Sequence, residues 1–156
     1  MTAELYFRVV DLYAQYARAI DEGRFDDWLA LFDEECAYHV TPQENIQRGL
    51  ELAIVRCRSR AMLQDRIVSL QQANIFNIHT DRHLVTNVQV LTNKLGQLEA
   101  QADFVVFQTD QEGESRLFCV GRYRTVLRGD VTALKIGEQW VSLDTAAVPT
   151  LLAAPL

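Results

Sequence analysis

The chain predicts an α+β fold, with helices packed on one face of a strongly curved, mainly antiparallel sheet. Three observations carry that reading. The apolar period changes from about 3.6 to 2 near residue 79, so a helical half precedes a strand half. The strands that follow are joined by short Gly- and Asp-containing turns, which favours an antiparallel meander. Finally, 156 residues with a hydrophobic fraction of 49% suffice for one sizeable core, so residues 1–156 are read as a single domain.

In chain order, Leu5, Val9, Leu12, Tyr16 and Ile20 form the stripe of a first amphipathic helix, widened by Tyr13. Asp21-Glu22-Gly23-Arg24 ends it, with Gly23 as a left-handed cap. A second helix is expected over Asp26–Phe32, burying Trp28, Leu31 and Phe32. Asp33-Glu34-Glu35 reads as a solvated connection into a short strand, Cys36–Thr41, which Pro42 closes. Gln43–Gly49 reads as loop and Leu50–Arg58 as a strand, though a helix start fits the latter too. Ser59 can cap a helix over Arg60–Gln72 whose buried side is Leu63, Ile67 and Leu70, with Met62 beside it. After a connector from Ala73 to Ile78, four long strands are expected: Leu84–Thr92, Leu98–Gln108, Leu117–Leu127 and Leu134–Leu143. Their turns are Asn93–Gly96, Asp110–Gly113 and Gly129-Asp130.

Charge and composition exclude several classes. A formal net charge of −6 argues against nucleic acid or an anionic membrane as partner. Lys94 and Lys135 are the only lysines, so the basic side is almost entirely arginine, a balance that leans towards an assembled protein. Cys36, Cys57 and Cys119 are widely spaced among apolar residues and read as free thiols of a cytoplasmic protein. No basic-then-apolar leader and no run of about 20 apolar residues is present.

Chemistry, if any, centres on His79–Leu91. His79 and His83 have i,i+4 spacing, but on a strand their Cα atoms would lie about 13 Å apart, so no metal site is expected. No dinucleotide, P-loop or serine-hydrolase motif occurs. Asp21 at the end of the first helix and His83 at the start of the first long strand could line one pocket. They would then serve as the acid–base pair of a dehydratase or isomerase, with Tyr16 and Tyr38 as hydroxyl donors. The plain alternative is a fastening of the helix layer to the sheet. On the third long strand, alternation puts Phe118, Val120, Arg122, Arg124, Val126 and Arg128 on one face. Apolar residues among arginines suit a surface closed by a partner; Phe118, Val120, Arg122 and Arg124, with Arg82, are the candidate interface.

An ordered series then emerges: Tyr16-Ala17 and Asp21; Trp28 and Phe32; Asp33-Glu34-Glu35-Cys36-Ala37-Tyr38; and Ser59-Arg60-Ala61-Met62-Leu63-Gln64-Asp65-Arg66. Ala73-Asn74-Ile75-Phe76, Arg82-His83-Leu84, Asn87, Gly121-Arg122-Tyr123 and Trp140–Asp144 complete it. With these motifs the chain resembles, over essentially its whole length, the small (beta) subunits of Rieske-type aromatic-ring-hydroxylating dioxygenases. It departs from the usual pattern at His79-Thr80-Asp81 and at Glu138-Gln139, where the family carries Arg and Glu-Arg. The resemblance implies a cone-shaped fold of the nuclear-transport-factor-2-like (cystatin-like) type. It further implies a non-catalytic subunit, forming a trimer that supports three large (alpha) subunits in a hexamer. The Rieske [2Fe-2S] cluster and mononuclear non-haem Fe(II) would belong to the large subunit, with no cofactor, metal ligand or catalytic residue in this chain. Electrons from NAD(P)H would arrive by a reductase, directly or through a ferredoxin, for cis-dihydroxylation of an aromatic, carboxylated substrate. The tail from Leu151 to Leu156 is similar to that of terephthalate-dioxygenase small subunits.

Overall fold

A computed structural model describes residues 2–50, 52–72, 78–92, 95–145, 152 and 154–156. Its elements are α1 (Ala3–Asp21), α2 (Phe25–Ala30), β1 (Phe32–Pro42), α3 (Gln43–Gln47), β2 (Val55–Cys57), α4 (Arg60–Gln72), β3 (His79–Thr92), β4 (Leu98–Asp110), β5 (Ser115–Arg128) and β6 (Lys135–Leu143). The six strands form one sheet in the order β2-β1-β6-β5-β4-β3. Neighbours are antiparallel except β1 and β6, which run parallel.

Local chemistry accounts for the helices. Thr2 accepts a hydrogen bond from the Leu5 amide and starts α1. At its other end Gly23, at φ 67°, donates to the Ile20 carbonyl while Arg24 donates to that of Ala19, the paired bonds that close a helix on a left-handed glycine. The Ser59 hydroxyl accepts from the Met62 amide at the head of α4. Along α4, Leu63, Ile67 and Leu70 are buried while Met62 stays outside. On α1, Val9, Leu12, Tyr13, Tyr16 and Ile20 are buried against the sheet.

The concave side of the sheet is aromatic. Tyr16, Trp28, Phe32 and Tyr38 meet edge to face, and Tyr123 stacks on Phe104 at 4.2 Å. Gly121 makes that stack possible. A Cβ there would lie 2.2 Å from the Ser142 carbonyl oxygen and 2.9 Å from the Phe104 ring.

Several expectations need correction. Phe32 opens β1 rather than closing α2, and Asp33-Glu34-Glu35 lies within that strand. Arg60 pairs with Glu34, and Arg128 donates to the Glu35 carbonyl at 2.5 Å. Leu29 is buried on α2 where Leu31 had been expected to be, Leu31 being only partly covered. Gln43–Gln47 is the helix α3, not loop, and the strand read over Leu50–Arg58 shrinks to Val55–Cys57. The connector Ala73–Asn77 and the Asn93-Lys94 half of one turn lie outside the described residues.

The largest correction concerns β5. Cys119 pairs with Val106, yet Leu117 pairs with Phe107, so β5 carries one extra residue at Phe118. This bulge reverses the alternation. Phe118 turns inward with Cys119, at 7% and 3% exposure, and Leu117 turns out at 53%. Further irregularities shape the sheet between Phe32 and Ala37 on β1, at Asn87-Val88 on β3 and at Gly137 on β6. Asn87 adopts a positive φ of 54°, a conformation Asn tolerates better than most residues.

Candidate functional site

Because the apolar stripe of α1 packs across β3, its last residue arrives beside His83. The His83 backbone amide donates to both Asp21 carboxylate oxygens, at 3.2 and 3.0 Å, and its Nδ1 lies 2.6 Å from Oδ1. Side-chain exposures are 0% for His83 and 7% for Asp21. The carboxylate thus holds both the strand backbone and the ring, keeping the Nδ1 proton on its own side. His83 Nε2 is buried without a hydrogen-bond partner. Chemically this is a proton acceptor, but it is sealed inside packed side chains, where a fastening role suits it. His79 sits further along β3, with Nε2 3.3 Å from Asp81 Oδ1 and 3.3 Å from Gln108 Nε2. The two histidines therefore serve different carboxylates.

Tyr16 and Tyr38, expected as donors to a substrate oxygen, instead hold the chain's own tail. The Tyr16 hydroxyl donates to the Leu156 main-chain oxygen at 2.5 Å, and Tyr38 approaches it at 3.3 Å. The Leu156 amide donates to the Tyr38 oxygen at 3.0 Å. Burial raises both phenols: Tyr38 is pushed up to about 12, and Tyr16 stands well above its ordinary value with Tyr38 and Tyr123 adding to the effect. Beside the tail lies a cavity of about 210 Å³. Its lining combines polar Asp21, His79, Asp81 and Gln108 with apolar Phe25, Leu70, Phe118 and Leu156. Deeper in, the Tyr13 hydroxyl lies 2.8 Å from that of Thr125, which donates to Gln139 at 2.7 Å.

The convex face is built differently. Register places Leu84, Val105 and Val120 in one row, and Arg82, Phe107 and Leu117 in the next. Leu84, Phe107 and Leu117 are 52%, 37% and 53% exposed. Further along, Arg122 donates to Asp103 at 3.0 Å, and Asn87 donates to the same carboxylate at 2.8 Å. These two bonds, Asn87 first, hold the Asp103 carboxyl below its ordinary range. Arg124 reaches Glu99 at 3.3 Å and lies 5.2 Å above the Trp140 ring, which stacks on His39 at 4.2 Å. A groove of about 740 Å³ runs here between His39, Arg56, Arg58, Arg122, Arg124 and Trp140. Burial, followed by Arg56, lowers the His39 pKa.

Of the candidate interface residues, Arg82, Val120, Arg122 and Arg124 share this face, whereas Phe118 faces the interior. The corresponding apolar contribution comes from Leu117, with Leu84, Val105 and Phe107, which simple alternation on one strand does not reveal. Each of the three cysteines is buried, and burial pushes Cys36 up to about 11 and Cys119 up to about 12. Among the described residues no group of three or more His, Cys, Asp or Glu side chains is placed to hold a metal ion. Nor is any described helix long and apolar enough to cross a membrane.

Comparison with known proteins places this geometry in context. Residues 15–150 match the family described as ring hydroxylating beta subunit. The chain is 34% identical over 151 residues to the anthranilate 1,2-dioxygenase small subunit of Burkholderia cepacia, covering 97% of this chain and 94% of that one. It is 32% identical over 143 residues to subunit beta 1 of the terminal oxygenase component of terephthalate 1,2-dioxygenase from a Comamonas species, covering 92% and 93%. A solved beta subunit from Novosphingobium aromaticivorans, assigned to an aromatic-ring-hydroxylating dioxygenase, superposes with a TM-score of 0.86 at 33% identity over 97% of this chain and 96% of that one.

Proposed function

We propose a function from one premise: the chain belongs to the ring hydroxylating beta subunit family, which it matches over residues 15–150. It is the small subunit of an aromatic-ring-hydroxylating dioxygenase, and the catalytic centre belongs to its large subunit. That match is the observation on which the proposal rests. The donor sets here do not fit a Rieske cluster or a non-haem iron. Among the described residues the cysteines are buried thiols, and His79 and His83 lie against different carboxylates. No step of the oxygenation is assigned to these residues. The dehydratase or isomerase reading through Asp21 and His83 is set aside, because the His83 ring is fully enclosed.

In this reading the single domain assembles as a trimer that carries three large subunits, in the cytoplasm, with electrons from NAD(P)H supplied by a reductase directly or through a ferredoxin. The named relatives act on anthranilate and terephthalate, both aromatic carboxylates, which supports that substrate class and favours neither member strongly. The convex face is the assembly surface, with its apolar rows against a second copy and Arg82, Arg122 and Arg124 pairing across the boundary.

The test is to purify the oxygenase with and without this chain. Without it, the large subunits are expected to lose hexameric mass and thermal stability; equal activity, mass and stability would sink the proposal. Arg122→Glu and Arg124→Glu are expected to lower the trimer mass on a sizing column. An unchanged trimer from both variants would remove that face from the interface.

A further inference from the structure

One cross-strand row on the convex face holds Arg56, His39, Trp140 and Arg124, on β2, β1, β6 and β5 in turn. Its middle is a flat floor, because His39 stacks on Trp140 at 4.2 Å. Its ends are cationic, and three strand spacings put their Cα atoms about 14 Å apart. Arg58, two residues on from Arg56, and Arg122, two before Arg124, join them in lining the groove of about 740 Å³. Among the described residues that lining contains no Asp or Glu, although the chain carries a formal net charge of −6. Asp103 and Glu99 reach Arg122 and Arg124 from outside the lining; a guanidinium has five N–H donors, so each can serve a second acceptor. Burial, then Arg56, lowers the His39 pKa, and Arg58 adds to the effect against Glu138, so the floor feels the positive field. Ile46 and Leu50, 47% and 43% exposed, give the same groove an apolar lip.

We infer that this groove is a binding site for a compact dicarboxylate with an aromatic body. One carboxylate lies with Arg56 and Arg58, the other with Arg122 and Arg124, and the body spans the His39–Trp140 floor beside Ile46 and Leu50. Planar guanidinium forks match carboxylates in shape as well as charge. A single ring with carboxylates at opposite ends is shorter than the span between the two arginine pairs, which leaves room for a guanidinium at each end. Arg124 already leans inwards, 5.2 Å above the Trp140 ring. Where this face closes on a second copy, as proposed above, enclosing four arginines without negative charge would be costly, and the dianion supplies that charge. The site itself uses only this chain's residues and does not depend on the subunit assignment.

Calorimetric titration of the full chain, purified without a large subunit and dialysed into chloride buffer, tests this apart from the oxygenase reading. The probe is 1,4-benzenedicarboxylate, with benzoate as the one-ended control and 1,4-benzenedimethanol as the uncharged one. The probe is expected to bind saturably, one per chain and at least tenfold more tightly than benzoate, while the diol gives no saturable heat. Arg56→Gln with Arg58→Gln alters exposed side chains outside the proposed boundary between copies. That variant is expected to bring the probe within twofold of benzoate and to keep its assembled mass. Absence of saturable probe binding to the wild-type chain would overturn the inference and leave the arginines to carboxylates of a second copy. Equal affinity for probe and benzoate would overturn the two-ended site, and unaltered probe binding in the double variant would remove it from this groove.

Discussion

Arg122 and Tyr123 are neighbours on β5 and face opposite sides of one sheet. Tyr123 is fully buried, stacked on Phe104 and packed against Tyr13 and Tyr16. Arg122 is largely exposed and paired with Asp103. The same contrast runs across the whole sheet. On the concave side several polar groups are answered within the chain: Asp21 by His83, Tyr13 by Thr125, Thr125 by Gln139, and Tyr16 by Leu156. On the convex side the ion pairs remain partly in water and stand beside uncovered Leu84, Phe107 and Leu117. An exposed ion pair contributes little to a lone chain, typically about 0–1 kcal/mol. The concave face therefore carries stability, and in the proposed reading the convex face serves association.

Substitutions on each side can break that division. Asp21→Ala removes the carboxylate that holds both His83 groups, and the loss expected for one member of a buried pair is about 3–5 kcal/mol, read from urea unfolding midpoints. A loss below about 1 kcal/mol would show that the pair does not fasten α1 to β3. Phe118 and Leu117 sharpen the contrast between adjacent residues. Phe118→Ala should cost about 3 kcal/mol by opening a cavity, whereas Leu117→Ser should stay within about 0.5 kcal/mol and act on assembled mass instead. Reversed effects would restore the simple alternation and remove the bulge from the account.

That pair of residues also shows what the sequence could and could not reveal. Residues 60–72 were legible as a helix, and four long strands as strands, because burial imposes a period on the apolar residues. A bulge inserts one residue without altering composition, so strict alternation assigned Phe118 outward and Leu117 inward. The five residues of α3 are polar but for an exposed Ile46, carry no apolar stripe and read as loop. Asp21 and His83 could be paired from the cone geometry, since each ends or begins a recognisable element. The hold of Tyr16 and Tyr38 on Leu156 had no such signal, as it joins side chains to main-chain atoms more than a hundred residues away.

Burial on the concave side also predicts a pH dependence. Tyr38 and Cys119 keep their protons in the folded chain up to about 12, against ordinary values of 10.0 and 9.0. Between those limits the unfolded chain has released protons that the folded chain retains, so stability is full below pH 9 and declines as pH rises above it. Each such group removes up to about 1.4 kcal/mol per pH unit within its window. Unfolding midpoints measured from pH 7 to 11 should therefore fall on the alkaline side. Tyr38→Phe should flatten the part of the curve above pH 10, and an unaltered slope there would contradict the burial of that phenol.

The parallel pairing of β1 with β6 has a consequence for how the chain reaches this state. His39 lies beside Trp140 in the ladder, so the middle of the sheet joins residues from opposite ends of the sequence. The hairpins β3–β4 and β4–β5 can form from local contacts, but β1 must wait for a strand about a hundred residues later, at the entropic cost of closing that loop. On the ribosome β1 therefore emerges without its central neighbour. Until β6 is synthesised, its edge is open to intermolecular pairing, and the period of greatest aggregation risk is set by the time needed to make residues 43–143.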